Sequence, residues 1–331
     1  MKVDLMLQLA ELIELLAQKE FVSGQVLAGR LGVTRAAIWK QVETLRKLGY
    51  EINANPRKGY QLISRPDKLY PWEVRKGLNT KLVGKTMEYY DELPSTNLRA
   101  KELLATSPPE GTVIIAESQT KGRGRLGRKW HSPPGTGIWM SIILNPKIPP
   151  IQLPKLTLVA AVALSRAIYA ELGVRPLVKW PNDLYLKGRK ISGILTELVG
   201  EMGRLEHVIL GVGINVNQKR EDFPEDLRGK AGSLLMVNER AVDRQVLLCQ
   251  YFQMFEEEYL RSLEEGFAQV LDYCRRYTVT LGQQVEVDNG AKIFYGRAVE
   301  IADDGGLILE QDGKRVKVLS GDVNLFNKEQ S

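Results

Sequence analysis

Cysteine and histidine are scarce: Cys249, Cys274, His131 and His207 are all the chain has. With no C-x-x-C pair, these four cannot assemble a zinc set. Two isolated cysteines in 331 residues point to a reducing compartment and no disulfide framework. No uninterrupted apolar run reaches the ~18 residues that a bilayer span needs. The opening MKVDLMLQLAEL carries acids within its apolar run, so it does not read as a secretory leader. A cytoplasmic protein without membrane contact is expected. There is no internal repeat, no low-complexity tract and no G-x-x-x-x-G-K-[ST] loop. What remains is ordinary globular composition, 44% hydrophobic and 26% charged. The length suits two or three domains. A net charge of +6 fits an anionic partner without requiring one.

The first sixty-five residues carry a recognisable pattern. Leu5, Leu9, Leu12 and Leu16 form one apolar stripe of a helix. Ser23 caps a second, short helix with Leu27 and Leu31. Gly32 turns the chain, and Thr34 caps a third helix, TRAAIWKQVETLRKLG. Ile38, Val42 and Leu45 face inward there, which leaves Arg35, Trp39, Lys40 and Arg46 outside. YEINANPRKGYQLI then alternates, turns at NPRKG and alternates back, as a hairpin does. This is a winged helix-turn-helix, with the third helix for the major groove and the wing, with Arg57 and Lys58, for the backbone. Between Arg30 and Arg65 eight cations stand against two acids, so the basic excess lies where phosphate would be met. The plainer alternative is a small helical domain whose basic face serves protein contacts.

Pro66 and Pro71 mark a linker. From about residue 82 to 276 apolar strands alternate with helices: TVIIAES and GIWMSIIL as strands, PKLTLVAAVALSRAIYAEL as a helix, then PLVKW, DLYLKGRKISGILTEL and HVILGVGINVN as strands. The end, QQVEVDNGAKIFYGRAVEIADDGGLILEQDGKRVKVLSGDV, reads as short strands split by DNG, DDGG and QDG, a small β-barrel.

KGRGRLGRKW, residues 121 to 130, holds five cations and spells G-x-G-x-x-G. A dinucleotide loop needs a helix at once after its glycines. The continuation KWHSPPGTG cannot supply one. Glycines let backbone approach a ligand and move, and arginines bind carboxylate or phosphate. The stretch therefore reads as a mobile loop that closes over a small anionic ligand, with a solvated nucleic-acid patch as the alternative. STN, at Ser95 to Asn97, begins a helix and reads as simple N-capping when taken alone. Lys179, Asn182, Asp183 and Lys190 are polar groups on an apolar frame, and an exposed hairpin would account for them too. Gly211 and Gly213 interrupt a strand, a mark of close backbone approach.

Taken in order, STN, SQTKGRGRLGRKW, KWPND, GRKISGILTE and GVGINVN closely resemble the biotin–protein ligase family. SGQVLAGRLGVTRAAIWKQVETLRKLGY and KGYQL look like the bacterial members that double as biotin operon repressor. The resemblance covers nearly the whole chain. It implies a multidomain α+β protein: a winged helix-turn-helix over 1–65, a catalytic α/β domain with a mixed sheet over 66–277, and an SH3-like barrel over 278–331. The implied activity joins biotin to ATP as biotinyl-5′-AMP, with Mg²⁺, and passes it to a lysine of the biotin carboxyl carrier protein of acetyl-CoA carboxylase. Biotinyl-5′-AMP would also be corepressor for a ligand-dependent homodimer on the operator DNA of biotin synthesis genes.

By the same resemblance Ser95, Thr96, Asn97, Gln119, Arg123, Gly124, Arg125, Lys190 and Gly193 bind biotin. Arg125, Arg128, Trp130, Lys179, Asp183, Gly213 and Asn215 serve ATP and the adenylate, the metal lying near Asn215. Arg125, Lys190, Lys179 and Asp183 carry the chemistry. Ser23, Thr34, Arg35, Trp39, Lys40, Arg57 and Lys58 meet DNA. Leu126 stands where some members have arginine, a departure expected to bear on loop dynamics, and His131 where an aromatic is common; neither threatens the activity. Three other readings stay open: a ligase with a vestigial DNA-binding domain, a non-catalytic biotin-responsive transcription factor, and a lipoate or octanoyl ligase of related fold.

Overall fold

A computed structural model describes residues 2–17, 20–201 and 204–326, with residues 2–7, 201 and 204–206 described through their backbone alone. The chain falls into two compact units, Met1–Lys76 and Gly77–Ser331.

The first unit holds helices α1 (Lys2–Leu16), α2 (Gly24–Leu31) and α3 (Arg35–Lys47), then strands β1 (Glu51–Asn55) and β2 (Gly59–Ser64). Leu9, Leu12 and Leu16 are buried with Leu27, Ile38, Val42 and Leu45, as their spacing requires. The side chain of Leu5 lies outside the described residues. Ser23 and Thr34 cap their helices by accepting from the amides of Val26 and Ala37, each at 3.2 Å. Gly32 takes φ 64°, the left-handed turn that separates α2 from α3. The strands pair antiparallel as the wing. Arg35, Trp39, Lys40, Arg57 and Lys58 are all exposed, Trp39 by 55% despite its size.

Residues 66–76, which the prolines assign to a linker, pack within this unit. Helix α4 (Pro71–Gly77) starts there. Tyr70 stacks on Trp72 at 4.6 Å and on Tyr50 at 6.4 Å. Beneath them Glu73 accepts from Tyr50 Oη at 2.7 Å and pairs with Arg65 at 2.7 Å and Lys76 at 2.9 Å. Burial alone would raise the Glu73 pKa. The hydrogen bonds from Lys76 and Tyr50 and the charges of Lys76 and Arg65 outweigh it, so the carboxyl sits below its ordinary range. A depressed folded value stabilises fully above the unfolded pKa of ~4.3 and is lost as pH falls through the folded one. Glu73→Gln should therefore cost this unit about 1–3 kcal/mol at neutral pH. Urea unfolding followed by tryptophan fluorescence should show the variant and parent curves converging on acidification.

The second unit is built on a seven-stranded mixed sheet. Its strands are β3 (Met87–Leu93), β4 (Val113–Gln119), β5 (Gly137–Leu144), β6 (Leu177–Lys179), β7 (Asp183–Leu186), β8 (Arg189–Glu201) and β9 (Arg204–Asn215). Their order is β3-β4-β5-β9-β8-β7-β6, with only the β3–β4 pair parallel. Helix α5 (Thr96–Leu103) covers one face through Ala100, which packs with Ile114, Ile143 and Ile209. Helix α6 (Lys155–Leu172) covers the other, where Thr157 meets Thr196 at 2.7 Å. By length and composition α6 could cross a membrane, but here it is largely buried as a core helix. Beyond β9 come α7 (Leu234–Asn238), α8 (Arg244–Glu265) and α9 (Ala268–Arg276). Strands β10 (Gln284–Asp288), β11 (Ile293–Ile301), β12 (Leu307–Gln311), β13 (Lys314–Val318) and β14 (Asp322–Leu325) then form a small antiparallel sheet, in the order β13-β12-β11-β10-β14.

Candidate active site

Side chains alternate across a sheet, so cross-strand partners share a face. Gly193 pairs with Gly213, Leu195 with Gly211 and Glu197 with Ile209. Ser141 and Trp139 of β5 continue these rows beside Gly211 and Gly213, on the face that carries α5. The glycines admit side chains from above. A Cβ on Gly211 would stand 2.2 Å from Asn97 Oδ1, and one on Gly213 would stand 2.4 Å from Trp130 Nε1. Over this bare backbone opens a cavity of about 870 Å³.

One end is neutral and polar. Ser95 holds the N-cap position of α5 but makes no capping hydrogen bond, so helix capping does not account for the STN triplet. Thr96 donates its amide to Gln119 Oε1 at 2.8 Å, and Gln119 Nε2 donates to Ser132 Oγ at 3.0 Å. Asn97 donates to Glu197 Oε2 at 2.8 Å, while its Oδ1 lies 2.6 Å from Ser141 Oγ. Ser95, Thr96 and Asn97 are all nearly inaccessible. The amides of Asn97 and Gln119 are each held in one orientation, which suits a compact neutral ligand with donors and acceptors of its own.

The opposite end is cationic. Lys179 closes β6, Asp183 opens β7, and Lys190 Nζ pairs with Asp183 Oδ2 at 2.6 Å. Lys190 reaches this face through a bulge: Leu184 pairs with Ser192 but the next residue, Tyr185, pairs with Lys190, leaving Ile191 extra. In an unbroken strand Lys190 and Gly193 would point to opposite faces. Lys190 also lies 5.4 Å from the centre of the Trp130 ring. Lys179 Nζ approaches Tyr185 Oη at 3.4 Å. Burial lowers the Lys179 pKa, the charge of Lys190 adds to this, and Asp183 opposes it. Burial pushes the Tyr185 phenol up to about 12, so it stays neutral.

The KGRGRLGRKW stretch folds over the cavity as an irregular hairpin. Trp130 N donates to Gly122 O at 2.9 Å and Gly124 N to Arg128 O at 2.7 Å. At its tip Leu126 takes φ 52° and is 58% exposed. Arg125 donates to Asn182 Oδ1 and to Gly321 O, both at 3.2 Å, and Arg128 pairs with Asp322 at 2.8 Å. Arg123 is exposed on the rim. Asn215 donates to Gly232 O at 3.0 Å. All the residues named for biotin and ATP from the sequence line this one cavity. Reading the sequence missed Asp322 and Tyr185, which also line it, and Ser141, which braces Thr96 and Asn97. Glu197 stood at the end of the quoted GRKISGILTE without a task.

Residues 89–215 match the model of the biotin/lipoate A/B protein ligase family. An HTH domain model matches residues 8–61, and a biotin protein ligase C terminal domain model matches residues 280–325. The bifunctional ligase/repressor BirA of Bacillus subtilis is 43% identical over 95% of this chain and 98% of its own. That of Escherichia coli is 32% identical over 96% and 97%. Among solved structures, the biotin protein ligase from Aquifex aeolicus in complex with biotin and ATP is 32% identical. It covers 74% of this chain and 100% of its own, with a TM-score of 0.66.

Proposed function

The chain belongs to the biotin protein ligase family, among the members that are ligase and repressor in one polypeptide, and we propose that this cavity makes biotinyl-5′-AMP. One observation carries this reading: a neutral end of fixed donors and acceptors and a cationic end share one cavity. A cyclic ureide fits the first, and a carboxylate next to a triphosphate fits the second.

The biotin carboxylate attacks the α-phosphorus of ATP, and pyrophosphate leaves. Negative charge builds on phosphate oxygens, and Lys190, Lys179, Arg125 and Arg128, which line the cavity, supply the cations that meet it. Trp130, lying over Gly193 and Gly213, offers a flat apolar surface for the base. Mg²⁺ enters with the nucleotide. Among the described residues no cluster of three or more His, Cys, Asp or Glu could hold a metal alone. The buried Asp183 Oδ1, which has no hydrogen-bond partner, and the Asn215 amide oxygen suit a metal bound mainly through phosphates. In the second step the carrier's lysine amine attacks the acyl carbon and AMP leaves. Asp183 keeps Lys190 aligned during both. The carrier is the biotin carboxyl carrier protein of acetyl-CoA carboxylase.

The first unit binds operator DNA of biotin synthesis genes. Thr34 and Ser23 act there as helix caps, and the exposed Arg35, Trp39, Lys40, Arg57 and Lys58 make the contacts. Biotinyl-5′-AMP is the corepressor and promotes a homodimer that spans two half-sites. The deciding assay is ATP–pyrophosphate exchange. Biotin should support it and lipoate should not, with subsequent transfer to a carrier domain. Exchange independent of biotin, or driven equally by lipoate, would overturn the assignment.

A further inference from the structure

Behind the neutral end of the cavity lies a chain of hydrogen bonds that begins at Glu197, a residue that does not itself line the cavity. An ionised carboxylate only accepts. The Asn97 atom 2.8 Å from Glu197 Oε2 is therefore its amide nitrogen. That turns Asn97 Oδ1 toward Ser141 Oγ at 2.6 Å, and an amide oxygen also only accepts. The single Ser141 proton is thus committed to Asn97. Two hydroxyl oxygens 2.7 Å apart need a proton between them, so Thr96 Oγ1 is the donor to Ser141 Oγ and not to Gln119 Oε1, which lies farther off at 3.3 Å. Gln119 Oε1 is itself fixed as an acceptor by the Thr96 amide at 2.8 Å. The Thr96 proton thus stays inside the protein, which leaves its oxygen an acceptor toward the cavity.

We propose that Glu197 is a positioning residue that sets the hydrogen-bond polarity of this pocket, presenting Thr96 Oγ1 as an acceptor for a ligand N–H. The idea rests on reading this end as the ureide's seat. Several observations converge on it. Asn97 and Lys101 are one turn apart on α5, and both hold Glu197, Lys101 at 2.7 Å. Burial would raise the Glu197 pKa, but the Lys101 and Asn97 hydrogen bonds and the charges of Lys101 and Arg123 bring it below the ordinary range, so the carboxylate persists at neutral pH. Gly211 leaves no side chain to push Asn97 out of line. Ser141 is fully buried.

The test uses biotin and its two cyclic carbamate analogues, in which one or the other ureido N–H is replaced by ring oxygen. Binding to the full chain is measured by calorimetry. In the parent, the regioisomer that sets oxygen against Thr96 should bind about ten- to a hundredfold more weakly than biotin, because two acceptors then face each other. Glu197→Gln is isosteric at a side chain 29% exposed, so folding is retained. There the Lys101 ammonium attracts the new amide oxygen and leaves the NH₂ facing Asn97. Asn97 turns over, Ser141 donates to Thr96, and the Thr96 proton is released to the cavity. The gap between biotin and that regioisomer should narrow about tenfold. Lys101→Met alone should keep the parental gap. The double variant Glu197→Gln/Lys101→Met frees the amide to accept again and should restore the gap.

An unchanged gap in Glu197→Gln would overturn the proposal. So would equal narrowing in Lys101→Met, since Glu197 would then merely anchor α5. A double variant worse than either single change would do the same. If the parent binds no biotin, the ureide seat itself is wrong, and that outcome is distinct from the others.

Discussion

Lys190→Ala should lower biotin-dependent ATP–pyrophosphate exchange by about a hundredfold or more, the usual cost of losing a preorganised group at developing charge. The side chain is held by Asp183 at 2.6 Å and projects from a strand rather than a loop, so little ordering remains to be done in the transition state. The substitution also strands Asp183, whose other oxygen is already buried without a partner. A double-mutant cycle separates the two effects. If Lys190 acts on the phosphate, adding Asp183→Asn will not recover exchange. If it only neutralises Asp183, the double variant will return close to the parent. Lys190→Ala should unfold at somewhat lower denaturant than the parent, and adding Asp183→Asn should bring the curve back toward it. Unimpaired exchange in Lys190→Ala would make it a solvated hairpin lysine.

The second large effect concerns DNA. If, as proposed, the adenylate favours a dimeric state that engages two half-sites, operator binding by the full chain should tighten sharply when biotin and ATP are supplied together. Arg35→Ala and Lys40→Ala should each weaken binding and lower the salt dependence by about one unit, as expected for lost phosphate contacts. Exchange and ligation should be unchanged in both. Titrations of protein on DNA upstream of its biotin genes, with and without the two substrates, decide the matter. Superimposable curves would leave a constitutive DNA binder. No binding in either condition would leave a ligase with a vestigial first unit.

Much of this was legible in the residues. The stripe Leu9, Leu12 and Leu16 and the caps Ser23 and Thr34 are local signals, and local chemistry fixes them. Glycine in a strand means close approach, and at Gly211 and Gly213 the approaching side chains are Asn97 and Trp130. Other features depend on distant parts of the chain. Asp322 comes from β14 of the small C-terminal sheet, and nothing in GDVNL announces an arginine partner. Residues 66–76 look like a linker because of their prolines, yet aromatic stacking of Tyr50, Tyr70 and Trp72 gathers them into the first unit. Ser141 sits in an apolar strand where a hydroxyl reads as a tolerated exception. Its role appears only once α5 is laid across it.

Counting residues in GRKISGIL by twos puts Lys190 and Gly193 back to back. The extra residue at Ile191 brings them to one face. This makes the segment a matter of parity rather than composition. At the exposed tip, Lys187 and Gly188, added or lost residues leave the register beyond them to be chosen by the pairing of β8 with β9. Between Lys190 and Gly193 there is no such slack. Pairing the same residues without the bulge would keep every chemical group the site needs and still turn the lysine into the core, and a shorter segment keeps the lysine in the site only if the bulge is lost with the residue. Hairpin length can thus vary on one side of the lysine, while on its other side residue count and bulge can change only together.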